Sequence, residues 1–244
     1  MRDKRGEWNR IAAEYDLKIV RGDFFRKNIL DSALLKYFKN IKNRSVLDLG
    51  CGQGYFSEIL STLGAHVTGI DISENLIAIA KKNKNINFFI GDIEDALPFE
   101  DNSFDIVVSN MVFMDLENPE RAIKEVIRVL KKNGLFIVSI LHPIFTSGSI
   151  YKSIKDKICL QDPSFLLKKY KSKKKIGWNI LDTTHTTTVF HRPIEYYINL
   201  FSSHNIFISN IEECVLPETF NENGFYRTLH HTPMFLIIEG IINK

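Results

Sequence analysis

Cysteine is scarce: three in 244 residues. Cys51, Cys159 and Cys214 lie far apart, with no CxxC pair and no histidine nearby at metal-ligand spacing, which argues against a disulfide framework or a zinc site and fits a reducing cytoplasm. An excess of one charge is missing too. Thirty-two Lys+Arg stand against 29 Asp+Glu, leaving +3, too slight an imbalance to require nucleic acid or an anionic membrane as partner. Long apolar runs are also absent. The opening MRDKRGEWNR continues into more charged residues without the apolar stretch of ~7–15 residues that a secretory signal needs, so export is not expected. The longest uncharged stretch, 134–151, just reaches the ~18 residues that raise a transmembrane question. It holds His142, Pro143, Gly148 and several serines, and reads as a buried strand plus a loop.

What is present is an ordinary globular composition: 44% hydrophobic, 25% charged and 11% aromatic, with a mean hydropathy of -0.10. A domain of this length buries about 70% of the surface its unfolded chain exposes and needs no metal or disulfide. One domain over 1–244 is the expectation.

From residue 45 onward, short apolar runs alternate with segments of helical period, the sign of a parallel sheet built from strands and crossover helices. Strands are expected at 46–49, 66–70, 86–90, 106–109 and 135–140. The intervening helices carry apolar stripes, for example Phe56, Ile59, Leu60 and Leu63, or Ala122, Ile123, Val126, Ile127 and Leu130. Lys131-Lys132-Asn133-Gly134 reads as the close of that last helix. Ahead of the sheet, about 7–40 carries two cover helices, one around Trp8, Ile11, Ala12 and Tyr15, the other through Phe25, Ile29, Leu34, Leu35 and Phe38. After the fifth strand, about 142–190 lacks a clear period and is too long for an ordinary connection, so it reads as a substrate-side insertion. Its six lysines within 168–175 read as a solvated face rather than an anion-binding patch. A helix from 193 to 203 and strands over 206–215 and 234–242 complete the chain.

The chemistry concentrates in Val46-Leu47-Asp48-Leu49-Gly50-Cys51-Gly52-Gln53-Gly54-Tyr55-Phe56, where an apolar strand delivers an acid and three alternating glycines into a helix start. Glycines there let the backbone turn sharply and let a ligand approach the amides. Seventeen residues past Gly54 the second strand ends in Asp71, where such folds present a carboxylate to a ribose. A third strand ends Gly91-Asp92-Ile93, an acid and an apolar side chain suited to an adenine amine and adenine face. A nicotinamide dinucleotide site would require glycine at position 55, which is Tyr55.

The pattern D-x-G-x-G-x-G resembles that of class I S-adenosylmethionine-dependent methyltransferases, in particular the broad small-molecule group. The likeness extends to Trp8-Asn9, Tyr15-Asp16, Val67-Thr68-Gly69-Ile70-Asp71-Ile72-Ser73, Phe104-Asp105-Ile106-Val107-Val108-Ser109 and Arg128-Val129-Leu130-Lys131-Lys132-Asn133-Gly134. Relatives usually end this last segment in two glycines; Asn133 also tolerates the left-handed conformation. The resemblance implies a Rossmann-like α/β fold: a seven-stranded, mostly parallel sheet with its last strand antiparallel and helices on both faces. It implies S-adenosyl-L-methionine as cofactor, with S-adenosyl-L-homocysteine as product. Asp48 and the loop of Gly50, Cys51, Gly52 and Gly54 would hold the methionine part, Asp71 the ribose, and Ile72, Asp92 and Ile93 the adenine. Tyr15 matches an aromatic residue near the methionine carboxylate, and the backbone around Asn110 and Met111 would line the same pocket.

The expected reaction moves a methyl group by in-line displacement to an O, N or C atom of a small-molecule acceptor. Proximity and alignment supply much of the catalysis, and a base helps only for some acceptors. Candidates for a base are His142 at the end of the fifth strand and His185 or His191 further on. Met114, His142, His191 and Tyr196 are expected to shape the substrate pocket, and the alternation over 184–190 suggests an extended hairpin above it. Asp115 could bind an amine but reads rather as an exposed acid at a helix start. Ser109-Asn110-Met111-Val112 lacks the Asn/Asp-Pro-Pro-aromatic loop with which nucleic-acid adenine methylases grip their base. A tRNA or rRNA substrate, a nicotinamide oxidoreductase and a non-catalytic cofactor-binding protein are the competing readings.

Overall fold

The structure is a computed structural model and describes residues 3–147, 169–179, 184–220 and 229–244. Nine strands are found among them. β1 (Ser45–Leu49), β2 (His66–Asp71), β3 (Asn87–Ile90), β4 (Phe104–Asn110), β5 (Leu130–Leu141), β8 (Ile206–Cys214) and β9 (Phe235–Ile242) form one sheet in the order β3-β2-β1-β4-β5-β9-β8. Pairings among β1 to β5 are parallel, while β9 runs antiparallel to both β5 and β8. β6 (Lys174–Trp178) and β7 (Thr187–His191) form a separate antiparallel hairpin.

The central strands are apolar along their length because both faces are covered. Val107, Val108, Ile137, Val138, Ile237 and Ile238 have no exposed surface, each contributing about 1.5–3 kcal/mol on burial. On one side α5 (Pro119–Val129) buries Ala122, Ile123, Val126 and Val129, a stripe at helical spacing. Phe136 of β5 stacks on Phe201 of α7 (Ile194–Ser202) at 5.3 Å and meets Phe113 edge-on at 5.4 Å.

The chain builds β1 to β3 outward in one direction, then crosses back to lay β4 and β5 on the other side of β1. Carboxyl ends of neighbouring strands on either side of that reversal open a crevice, where ligands of such sheets bind. Register places its members side by side: Leu49 opposite Ile70, Asp71 opposite Ile90, and Asn110 opposite Ser139.

Two local expectations shift. The helix expected to close at 131–134 ends at Val129, because Leu130 pairs with Phe104 and enters β5. Asn133 does take the left-handed conformation (φ 59°). The second N-terminal helix is interrupted: a π turn over Arg26–Asp31 runs into the short α2 (Ser32–Leu34) and a 3-10 turn over Leu35–Phe38. Such π turns are rare and cluster at functional sites. Within 142–190 the described parts are 142–147 with α6 (Pro143–Thr146), the 169–179 segment with β6, and 184–190 leading through β7; the remainder of that stretch lies outside the described residues. No described helix is long and apolar enough to cross a membrane, and no metal-ligand cluster occurs among the described residues.

Candidate active site

β1 delivers the glycine loop directly into α3 (Tyr55–Thr62). Gly50, Gly52 and Gly54 all have positive φ, at 82°, 56° and 89°, a region costly to residues with a Cβ. Space forbids a side chain as well: a Cβ on Gly50 would stand 2.5 Å from Val112, and one on Gly54 2.9 Å from Phe88. The amides of Gly50 and Cys51 both donate to the Ile70 carbonyl, at 2.8 and 3.0 Å. The Gly52 N–H donates to Asp71 Oδ2 at 2.9 Å, and the Ser73 N–H to Asp71 Oδ1 at 2.8 Å. Loop and strand end are thus clasped through one carboxylate. Burial holds the Asp71 carboxyl above its usual range, and its backbone N–H donors offset this only in part.

α1 (Lys4–Arg21) lies across this crevice and contributes Lys4, Trp8 and Tyr15 to its lining. Lys4 Nζ pairs with Asp92 at 2.6 Å and Glu94 at 2.5 Å, and Glu94 also accepts from the Asn118 N–H. Asn9 Oδ1 accepts from Ser73 Oγ at 2.7 Å. On its other flank α1 holds the hairpin, where Glu7 accepts from both the backbone and the hydroxyl of Thr188 at 3.1 Å. The Tyr15 ring is the nearest group to the open face of Gly52, 3.9 Å from where a Cβ would stand. Behind it, Arg26 Nη1 donates to Tyr15 Oη at 3.2 Å. The Arg26 guanidinium lies 4.8 Å from the Tyr55 ring centre, and Tyr55 in turn donates to Asp31 at 2.8 Å.

β4 supplies the third wall. Asn110 is buried, and Met111 follows it with φ 65°, a left-handed conformation of the kind strained residues adopt at functional sites. Met111 is held there by the Ser139 carbonyl at 2.9 Å.

The resulting pocket encloses about 630 Å³ measured out to its open mouth. Of the residues expected at the cofactor, the pocket is lined by Tyr15, Gly50, Gly52, Asp71, Ile72, Asp92, Ile93, Asn110 and Met111. Asp48, Cys51 and Gly54 stand behind its wall. Asp48 is buried beneath the loop, accepts from Ser57 Oγ at 2.6 Å, and is pushed up to about 6 by burial. Cys51 is buried as well, its thiol held well above the ordinary value by desolvation, so no reactive thiolate faces the site.

The pocket is not lined by the four residues expected on the substrate side, each of which is engaged elsewhere. His142 is buried, with Nε2 on Glu213 at 2.8 Å and Nδ1 accepting from the Ile144 N–H at 3.3 Å at the start of α6. Burial holds it below its usual value despite Glu213. With both nitrogens engaged, its geometry in this structure is that of a helix cap at α6. His191 bonds Thr146 Oγ1 at 2.7 Å and the Tyr170 carbonyl at 2.8 Å. His185, on the exposed approach to the hairpin, meets Thr184. Met114 takes the Leu141 N–H on its sulfur. Tyr196 lines a separate surface cleft with Arg121 and Lys124. Asp115, read as exposed, is buried and lines the pocket.

Three of the five described lysines of the 168–175 run have intramolecular partners. Lys171 pairs with Glu195, Lys173 lies 4.6 Å from the Tyr196 ring centre, and Lys174 donates to the Ser147 carbonyl at 2.7 Å. Sequence reasoning missed Lys4 and Arg26, for in a charged N-terminal stretch nothing sets them apart from solvated residues.

Residues 47–138 match the family described as a methyltransferase domain. A malonyl-[acyl-carrier protein] O-methyltransferase of Buchnera aphidicola is 31% identical over 146 residues, 59% of this chain and 55% of that one. A ubiquinone biosynthesis O-methyltransferase of Coxiella burnetii is 35% identical over 126 residues, 48% of this chain and 53% of the relative. The aligned stretch therefore spans little more than half of these curated relatives. Among solved structures, an S-adenosylmethionine-dependent methyltransferase from Mesorhizobium loti superposes with a TM-score of 0.73 at 22% identity, covering 86% of this chain and 96% of that one. The fold is the one such enzymes share.

Proposed function

We propose that this chain, built on the class I methyltransferase fold, is an S-adenosylmethionine-dependent methyltransferase that passes a methyl group to an O, N or C atom of a small-molecule acceptor. The observation that carries the reading is the clasp of Asp71 onto Gly52 at the floor of the pocket. Two oxygens with further lone pairs face a crevice whose walls alternate apolar side chains with acids, which suits a nucleoside with two hydroxyl donors and a flat ring. When bound, the cofactor supplies a methyl group on a sulfonium, activated for displacement by a nucleophile.

The chain's own residues bind and align. Asp71 accepts from the ribose, Ile72 and Ile93 cover the adenine, and Asp92 accepts from its amine while sharing Lys4. Gly50 and Gly52 leave room for the methionine part, with Asp48 and Gly54 fixing the loop from behind. Tyr15, supported by Arg26, faces the carboxylate. α1, through Lys4, Trp8 and Tyr15, covers the reacting groups from water, which favours dispersal of the sulfonium charge over bulk solvent. The O-methyltransferase relatives and the free, buried Cys51 and Cys214 support a biosynthetic enzyme of the cytoplasm.

Calorimetric titration of the full chain tests this. S-adenosylhomocysteine is expected to bind and NADH not to; a folded protein that ignores S-adenosylhomocysteine refutes the reading. Arg26→Lys provides a finer check, because an ammonium keeps the charge but cannot both donate to Tyr15 Oη and stand 3.6 Å from Asp31 Oδ1 as the guanidinium does. Affinity for S-adenosylhomocysteine is expected to drop by roughly tenfold, the worth of one charge-assisted hydrogen bond. Unchanged affinity would remove Arg26 from the carboxylate site.

A further inference from the structure

The Asn110 side chain ends in a donor with nothing to bond. Asn110 is 8% exposed and lines the pocket, yet Nδ2 has no hydrogen-bond partner. Its orientation is set by Ser139. The Ser139 hydroxyl oxygen accepts from the Met111 N–H at 3.1 Å, so its proton goes to Asn110 Oδ1 at 2.7 Å. Turning the amide round would place two donors on the serine oxygen and leave the serine proton without this acceptor. The NH2 group therefore points away from Ser139. A buried amide left unsatisfied costs about 1–3 kcal/mol, and residues kept at such a cost in a crevice serve what enters it. Of the charges lining the pocket, Lys4 is matched by Asp92 and Glu94, and Asp71 accepts from two N–H groups, while the buried Asp115 also lines it.

We infer that Asn110 Nδ2 binds the reacting oxygen of the acceptor in its ionised form, and that the acceptor is a phenol, enol or carboxylic acid that enters the site as its anion. This rests on the methyltransferase reading above. Amide N–H donors favour an oxyanion over the neutral hydroxyl, as in other preorganised anion holes. The apolar Met111, Val112 and Leu116 beside it suit a carbon skeleton. An oxygen already ionised has no proton to lose, so His142, with both nitrogens engaged, is not needed as a base. Asn110 is a residue that touches the nucleophile, and Ser139 is its positioning residue.

The test uses the full chain saturated with S-adenosylhomocysteine, and 4-nitrophenol, whose anion absorbs in the visible. The bound phenol is expected to ionise about one pH unit below the free compound, equivalent to roughly tenfold preference for the anion. Asn110→Ala abolishes the shift and Asn110→Asp reverses it, each read at S-adenosylhomocysteine concentrations that saturate the variant. Ser139→Ala, which frees the amide to rotate, diminishes it. A readout independent of any variant is the Asn110 side-chain amide resonance, expected to move on addition of the phenol. Benzoate in place of the phenol separates carboxylate from phenolate acceptors: Asn110-dependent binding of either supports the inference. It is overturned if neither probe depends on Asn110, or if the bound phenol ionises at or above the free value, as it would were it held neutral with its hydroxyl donating to Asp115. Failure to bind S-adenosylhomocysteine at all refutes the methyltransferase reading and this inference with it.

Discussion

Asp71→Ala is expected to weaken S-adenosylhomocysteine binding on the order of a hundredfold or more while the protein stays folded. Two ribose hydroxyls donating to an ionised carboxylate are worth about 1.5–3 kcal/mol each, and every 1.4 kcal/mol is about tenfold in affinity. The same oxygens take the Gly52 and Ser73 amides, so the substitution also loosens the loop against which the ligand packs. Asp71→Asn keeps the shape but presents one acceptor oxygen in place of two, and is expected to fall between wild type and alanine. Calorimetry reads the affinities, and circular dichroism the integrity of the fold. Binding within threefold of wild type for the alanine variant would mean that the carboxylate serves the loop alone.

Asp48→Asn is expected to raise stability above neutral pH and to flatten its dependence on acidity. Desolvation raises the folded-state carboxyl to about 6, against the help of Ser57, while an unfolded aspartate titrates near ~3.9. Between these values the folded chain holds more protons than the unfolded one, so unfolding free energy falls as pH rises. The contribution is fully present below the unfolded pKa and lost as pH climbs through the folded one, about 2–3 kcal/mol in all. An uncharged amide of the same shape removes that loss. Urea unfolding of both proteins at acidic and mildly alkaline pH measures it: their stabilities should diverge as pH rises, and parallel curves would reject the buried carboxylate as the cause.

Legibility in the sequence followed the range of the interaction. The glycine loop and the acids ending β2 and the β3 segment could be read because each belongs to a short strand-turn-helix unit whose chemistry is local: positive φ demands glycine, and a strand end presents its next side chain to the crevice. The β6–β7 hairpin showed itself in the alternation of 184–190 for the same reason. Asp115 was misread as an exposed acid because a turn after a strand resembles any helix approach until packing buries it. His142 carries the residue type of a base, but whether an imidazole faces a crevice depends on what reaches its two nitrogens. Here Glu213, 71 residues further on, takes one of them.

Composition and local pattern by themselves determined the α/β class, the strand order's beginning and the cofactor edge of the pocket, since these follow from backbone conformation and hydrophobic period, which neighbouring residues set. Only the tertiary structure decided the rest. It laid α1 over the crevice through Lys4, set Arg26 behind Tyr15, drew Leu130 out of a helix into β5, and oriented the Asn110 amide through Ser139. Each of these depends on partners distant in sequence, whose meeting is settled by burial and hydrogen-bond satisfaction across the whole core and leaves no mark in a local window.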